Sequence, residues 1–135
     1  MNHPTDLAAL LLRLGLGTMY TAHALLKLIV FTLPGTAAFF EQVGFPGWSA
    51  YLVFAAELTG GVLLIAGFGV RGVALALIPV LLGALYVHSG SGWVFSNPNG
   101  GWEYPAFLVL VSVVLALLGP GRFAVPALRR PAVAA

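Results

Sequence analysis

The apolar stretch AHALLKLIVF, residues 22 to 31, contains a histidine and a lysine four residues apart, His23 and Lys27. At about 100° per residue these side chains share one helical face with Tyr20, so that a hydroxyl, an imidazole and an ammonium group form a polar stripe. Groups of this kind can hydrogen-bond a carbonyl or anionic oxygen, and the imidazole can also hold a proton. The stripe therefore marks a candidate binding site.

Glu57, in the segment ELTGG, supplies an acid for the same site. Burial and a nearby cation have opposite effects on how tightly a carboxyl group holds its proton, which suits an acid beside a histidine to proton transfer. His88 and Glu103 flank the last long loop and are candidates for the same site, although Glu103 also suits the first turn of a helix, where the helix dipole favours a carboxylate. No two of these residues have an established metal-ligand spacing, so no metal site is predicted.

The composition is typical of an integral membrane protein. Hydrophobic residues make up 60% of the 135 residues and charged residues only 7%, whereas about a quarter of the residues in a soluble domain are charged. A net charge of +2 leaves no basic surface for nucleic acid. The absence of cysteine excludes disulfides, thiolate metal ligands and dithiol redox chemistry by this chain. No nucleophile, flavin motif or haem ligand pair is evident, so we do not expect redox catalysis by the chain alone.

Four apolar segments are long enough to cross a hydrocarbon core of about 30 Å as helices. They cover about residues 7–30, 48–68, 71–89 and 103–119. The first segment is too long, and too often interrupted by charged residues, for a cleaved signal peptide. We therefore predict an all-α fold with a single transmembrane domain over residues 1–135, an integral membrane four-helix bundle.

Two long loops, rich in glycine and proline, lie on one side of the membrane. In the first loop we expect a short interfacial helix that is capped by Thr36 and has Phe39 and Phe40 on one face. Most basic residues lie on the opposite side, so the positive-inside rule places both termini in the cytoplasm and the protein in a bacterial inner membrane. These residues are Arg13, Arg71, Arg122, Arg129 and Arg130. We expect the long side chain of Arg13 to extend to the lipid headgroups.

Helix geometry brings the polar residues of different segments to similar depths. At a rise of about 1.5 Å per residue, Lys27, His23 and Glu57 lie about 5, 10 and 13 Å below the outer boundary. An isolated charge at such a depth costs at least about 2.5 kcal/mol, so Glu57 should face the bundle and find a cation or share a proton. The predicted site contains Tyr20, His23, Lys27, Glu57, His88 and Glu103. A set of unrelated structural ion pairs is the alternative.

In this order the polar residues resemble those of the DoxX family of small bacterial and archaeal membrane proteins. The series comprises His23 and Lys27 in HALLKL, Glu57 in ELTGG, Arg71 at the start of the third helix, His88, Glu103 in GGWEYP, and the closing GPGRF. The resemblance covers about residues 7–123 and implies a four-helix membrane fold. It also implies an association with quinone-dependent thiosulfate oxidation or with respiratory and thiol-redox complexes. Relatives often continue with an acidic residue where this chain has AVPALRR.

Three functions follow as hypotheses. In the first, the chain is a quinone- or small-polar-ligand-binding subunit with no covalent cofactor, in which Tyr20, His23 and Lys27 hydrogen-bond a ligand oxygen and Glu57 accepts or relays a proton. In the second, the chain is a non-catalytic accessory or assembly subunit whose charges only fix the register of its helices. The third, a small transporter or proton channel, is disfavoured because no continuous polar route crosses the bundle. A homo-oligomer or a larger membrane complex is expected in each case.

Overall fold

The computed structural model describes residues 3–125, and within this range the chain is entirely helical, with no strand. Its elements are α1 (His3–Leu25), a π-helical turn (Leu26–Val30), α2 (Leu33–Gln42), α3 (Ser49–Ala66), α4 (Val70–His88), a 3₁₀ turn (Ser89–Ser91) and α5 (Glu103–Leu118). The predicted all-α fold is confirmed. With α1 and the π-helical turn taken together, the four predicted segments match the observed helices to within four residues at each end. Arg129 and Arg130, which contributed to the predicted orientation, lie outside the described residues.

Within the described range, three helical stretches are long and apolar enough to cross a membrane. They are α1 with its π-helical turn, α3, and α4 with the 3₁₀ turn that follows it. The apolar helix α5 is shorter, with 16 residues, or roughly 24 Å of rise. The protein is therefore a membrane helical bundle, while the cytoplasmic location of both termini and the spanning of α5 stay predictions.

The helices α1, α3, α4 and α5 pack against one another in a closed ring. α1 contacts α3 and α5, and α4 contacts the other side of both, while α2 lies against α3 and the π-helical turn. Large apolar side chains fill the centre of the ring: Leu16, Tyr20, Leu64, Val70, Ala74, Leu77, Leu81, Leu108 and Leu115. Many others are exposed on its outside, as expected where the solvent is lipid.

The crossing of α1 and α3 depends on two glycines. A Cβ atom added at Gly61 would lie 2.8 Å from the carbonyl oxygen of Gly17 and 2.5 Å from the hydroxyl oxygen of Thr21. The two backbones are therefore in direct contact, which is the arrangement that small residues allow between membrane helices. Glu57 lies one turn before Gly61, so this close approach directs its carboxylate toward the polar stripe of α1.

Arg13 does not extend to the lipid headgroups, so that prediction is wrong. Its side chain is only 2% exposed and donates hydrogen bonds to the carbonyl oxygens of Leu64, Ile65 and Phe123. The last carbonyls of α3 lack partners within their own helix, and a guanidinium has enough donors to satisfy several of them at once. Arg13 is therefore an internal cap for the end of α3.

A short helix in the first long loop, α2, is confirmed, but its predicted N-cap is wrong. The capping residue is Thr32, whose hydroxyl oxygen accepts a hydrogen bond from the backbone N–H of Gly35 at 3.2 Å. Pro34 follows in the first turn, where its missing N–H costs nothing. Thr36 lies inside the helix, buried, and its hydroxyl donates to the carbonyl oxygen of Thr32 at 2.8 Å. The interfacial position of α2 stays a prediction.

Candidate functional site

A cavity of about 750 Å³ lies between all five helices. Apolar and aromatic side chains form most of its wall, and several polar side chains also line it. Five of the six residues predicted from the sequence are among these lining residues, here named the polar cluster: Tyr20, His23, Lys27, Glu57 and His88. The structure thus brings residues from α1, its π-helical turn, α3 and α4 together around one volume.

Lys27 and Glu57 form an ion pair in the wall of the cavity. The ammonium nitrogen of Lys27 donates to Oε2 of Glu57 at 2.7 Å, and the two side chains are only 15% and 7% exposed. The pair joins the π-helical turn to α3. Because each charge neutralises the other, two groups that would each be costly inside the bundle are held there together.

His23 has a defined hydrogen-bonding polarity. Its Nδ1 lies 2.9 Å from the carbonyl oxygen of Met19, in the preceding turn of α1. A carbonyl oxygen only accepts hydrogen bonds, so Nδ1 is the donor, and in the neutral ring Nε2 carries a lone pair. Since Nδ1 points back to its own helix, Nε2 is the ring nitrogen left for the cavity.

His88, the last residue of α4, is held in the same way by the loop before α5. Its Nδ1 donates to the carbonyl oxygen of Asn99 at 2.8 Å. Asn99 and Gly100 both have positive φ angles, and a Cβ atom at Gly100 would lie 3.1 Å from Nδ1 of His88. The backbone of the loop therefore packs directly on the imidazole and sets its orientation.

Tyr20 presents an unusual hydroxyl group. The residue is 1% exposed, and among residues 3–125 its hydroxyl has no hydrogen-bond partner. The hydroxyl of the neighbouring Ser112 donates its own proton to the carbonyl oxygen of Leu108 at 2.8 Å, so only its oxygen could accept from Tyr20. A buried polar group without a partner costs about 1–3 kcal/mol. Tyr20 lines the cavity, but its hydroxyl oxygen has almost no exposed surface, so a ligand oxygen could become its partner only after neighbouring side chains move.

Aromatic residues of α2 and its flanking loops close another side of the cavity. This aromatic wall consists of Phe31, Phe39, Phe40 and Phe45. The ring of Phe45 stacks edge-on against Tyr86 of α4, with 5.9 Å between the centroids, and lies 6.2 Å from the ring of Phe40. The sequence predicts Phe39 and Phe40 on one face of a short helix, without a link to the site. Their place in a loop on the same side as Lys27 was the available signal.

Glu103 is not brought together with the other predicted site residues. It begins α5, and its Oε1 accepts a hydrogen bond from the backbone N–H of Phe95 at 3.0 Å. It lines a separate groove whose wall includes Trp93 and Trp102, packed edge to face with 4.6 Å between their centroids. In this structure Glu103 therefore holds the last loop against the start of α5.

The π-helical turn that carries Lys27 was not predicted, because the sequence shows no pattern for it. The backbone N–H of Phe31 donates to the carbonyl oxygen of Leu26 at 2.9 Å, five residues earlier, instead of the four of an α-helix. Such turns are rare and are found most often at functional sites. Here the wider turn directs Lys27 to the cavity and leads the chain into the aromatic wall.

Comparison with known proteins identifies a family and a relative. The DoxX family model matches residues 8–90, a range that contains all five predicted site residues that line the cavity. A protein of Bacillus subtilis (strain 168), named "Putative oxidoreductase CatD", is 34% identical over 119 residues, which cover 88% of this chain and 84% of that protein. No solved structure matches significantly.

Proposed function

The chain belongs to the DoxX family of membrane proteins, and we propose that it binds a quinone in its cavity, as a subunit of a redox system in a bacterial inner membrane. The observation that carries this proposal is a largely apolar cavity whose wall also contains the ion pair of Lys27 with Glu57 and the buried side chain of Tyr20. The name of the Bacillus relative, an oxidoreductase, supports the same class of chemistry.

The cavity fits the chemistry of a quinone. A quinone has a flat apolar ring, two carbonyl oxygens that accept hydrogen bonds, and an apolar tail. A volume of about 750 Å³ lies within the roughly 300–1,000 Å³ of small-molecule sites. The aromatic wall suits the ring, while Tyr20 and the two remaining N–H groups of Lys27 can donate to a carbonyl oxygen.

Each polar residue then has a distinct task. Tyr20 fixes the position of a ligand oxygen through its hydroxyl. Glu57, whose Oε2 lies 2.7 Å from the ammonium nitrogen of Lys27, holds that ammonium group beside the ligand oxygen. His23 can hold a proton on Nε2, because Nδ1 is already committed to Met19. A bound quinone would supply the electron chemistry that this chain lacks. A partner protein must therefore deliver or remove the electrons.

Quinone retention tests the proposal. The protein is purified from native membranes into nanodiscs, and extracted quinones are quantified by mass spectrometry for the wild type, Tyr20→Phe and Tyr51→Phe. Loss of one hydrogen bond should lower the retention of quinone by Tyr20→Phe about fivefold. Tyr51 is exposed and does not line the cavity, so Tyr51→Phe should match the wild type.

Circular dichroism verifies that both variants are folded. A wild-type preparation with no more quinone than an unrelated membrane protein from the same cells would overturn the proposal. An intact fold together with that result would favour the accessory-subunit hypothesis, in which the ion pair only fixes the register of α1 against α3.

A further inference from the structure

In both histidines of the cavity, Nδ1 is the donor nitrogen and Nε2 the acceptor nitrogen. His23 donates Nδ1–H to Met19, and His88 donates Nδ1–H to Asn99. In each neutral ring Nε2 is then a lone-pair acceptor with no proton of its own. These contacts are made to backbone carbonyls, which cannot reverse their role. The backbone therefore fixes both rings as acceptors toward any ligand.

The ion pair adds a third acceptor. Glu57 binds Lys27 through Oε2, and within the described part of the chain its Oε1 makes no hydrogen bond. Lys27 is the only donor-only side chain in the polar cluster, and one of its three protons is already used. The hydroxyl of Tyr20 can serve either way. Acceptors thus outnumber dedicated donors around the cavity.

This polarity distinguishes the two redox forms of one ligand. A quinone has only acceptor oxygens, so a carbonyl placed opposite Nε2 of His23 brings two lone pairs together. The imidazole could donate to it only after taking up a proton. A quinol has hydroxyl groups, which donate to Nε2 while their oxygens still accept from Tyr20 and Lys27. The quinol therefore keeps every contact that a quinone can make and adds at least one more.

From these contacts we propose that the cavity binds the quinol in preference to the quinone, with Nε2 of His23 as the acceptor that discriminates between them. This selectivity rests on the proposed function, because it assumes that the cavity takes this class of ligand. In this complex no covalent bond is made or broken: the hydroxyl proton stays on the ligand and is shared with Nε2.

A matched ligand pair tests the selectivity. Wild-type protein in nanodiscs of synthetic, quinone-free lipid is titrated anaerobically with decylubiquinone and with decylubiquinol, which have the same ring and tail. One extra hydrogen bond predicts about fivefold tighter binding of the quinol. Equal affinities, or tighter binding of the quinone, would overturn the selectivity and leave the proposed function standing. Binding of neither form would instead count against the proposed function.

Two variants of His23 identify the discriminating atom. His23→Leu removes the acceptor and should weaken quinol binding about fivefold without changing quinone affinity. His23→Gln offers a donor as well as an acceptor, so it should keep quinol affinity and strengthen quinone binding. Tyr20→Phe is the control, because it should weaken both forms alike. An unchanged affinity ratio in the folded His23 variants would refute the assignment, and His23→Gln decides the case if His23→Leu does not fold.

Discussion

Replacing Lys27 by methionine isolates the energetics of the buried ion pair. Methionine keeps the length and apolar stem of lysine but removes its charge, which leaves the carboxylate of Glu57 without its partner at 2.7 Å. The side chain of Glu57 is only 7% exposed, so solvent cannot replace the lost ammonium. The variant therefore probes how much a lone carboxylate costs in this bundle.

Two energies bound the loss. The attraction between unit charges 2.7 Å apart is about 6 kcal/mol at an effective dielectric constant of about 20. Glu57 can escape an unpaired charge by taking up a proton, and protonating an ordinary glutamate carboxylate of the unfolded chain at pH 7 costs about 3.7 kcal/mol. The cheaper route sets the result, so we expect Lys27→Met to lose about 3–4 kcal/mol of unfolding free energy at pH 7.

The stability deficit of Lys27→Met should depend on pH. Folding of Lys27→Met takes up a proton, so its deficit against the wild type should shrink as the pH falls, to about 1 kcal/mol at pH 5. Unfolding in mixed detergent micelles, followed by circular dichroism at both pH values, measures this difference. The double variant Lys27→Met/Glu57→Gln carries no unpaired charge and should lie within about 1 kcal/mol of the wild type.

Arg71→Met is the matched control, because Arg71 is an exposed cation and its loss should change stability by at most about 0.5 kcal/mol. A double variant as unstable as Lys27→Met, or a deficit that does not change between pH 7 and pH 5, would refute this account of the ion pair.

Two further variants test the packing of α1 on α3 by the same unfolding measurement. Arg13→Met should lose at least about 3 kcal/mol because three buried or partly buried carbonyl oxygens lose a charged donor. Recovery of full stability in Arg13→Lys would contradict the need for a planar guanidinium. Gly61→Ala should lose about 2 kcal/mol, because its Cβ would lie 2.8 Å from a backbone oxygen of α1. Gly15→Ala, with no atom within 4 Å of the added Cβ, should be nearly neutral, and equal losses in the two alanine variants would argue against the close crossing.

Hydropathy and helical spacing were sufficient to predict the helices and to name His23 and Lys27 as the candidate partners of Glu57, of which the structure pairs Lys27 with it. Length and apolar composition locate helices in a membrane protein because every backbone group must be satisfied within the helix. Depth and face along two helices then predict which charges can meet. Both properties follow from local sequence and standard helix geometry, so no knowledge of the tertiary fold was needed.

The errors and omissions concern contacts between elements that are distant in sequence. Arg13 has the spacing of a residue that reaches the headgroups, but the free carbonyls at the end of α3 lie within its reach only in the folded bundle. The sequence groups Glu103 with the cavity residues because it lies at the same outer face as His88, yet the loop before α5 places the N–H of Phe95 beside its carboxylate. The π-helical turn Leu26–Val30 was also missed, because a segment of only five residues is too short to show a periodic pattern.

Both buried cations of the first membrane helix and its π-helical extension, Arg13 and Lys27, have partners on α3. During synthesis the first span therefore emerges before α3 has been made. The carbonyl oxygens that bind Arg13 and the carboxylate that pairs with Lys27 are then still missing. An unpaired cation inside a span opposes insertion, by up to about 3 kcal/mol at the centre of the span. The nascent first helix is thus a poor substrate for release into lipid until residue 65 has been translated. Insertion of this protein is consequently a joint event, in which α1 and α3 enter the bilayer as partners.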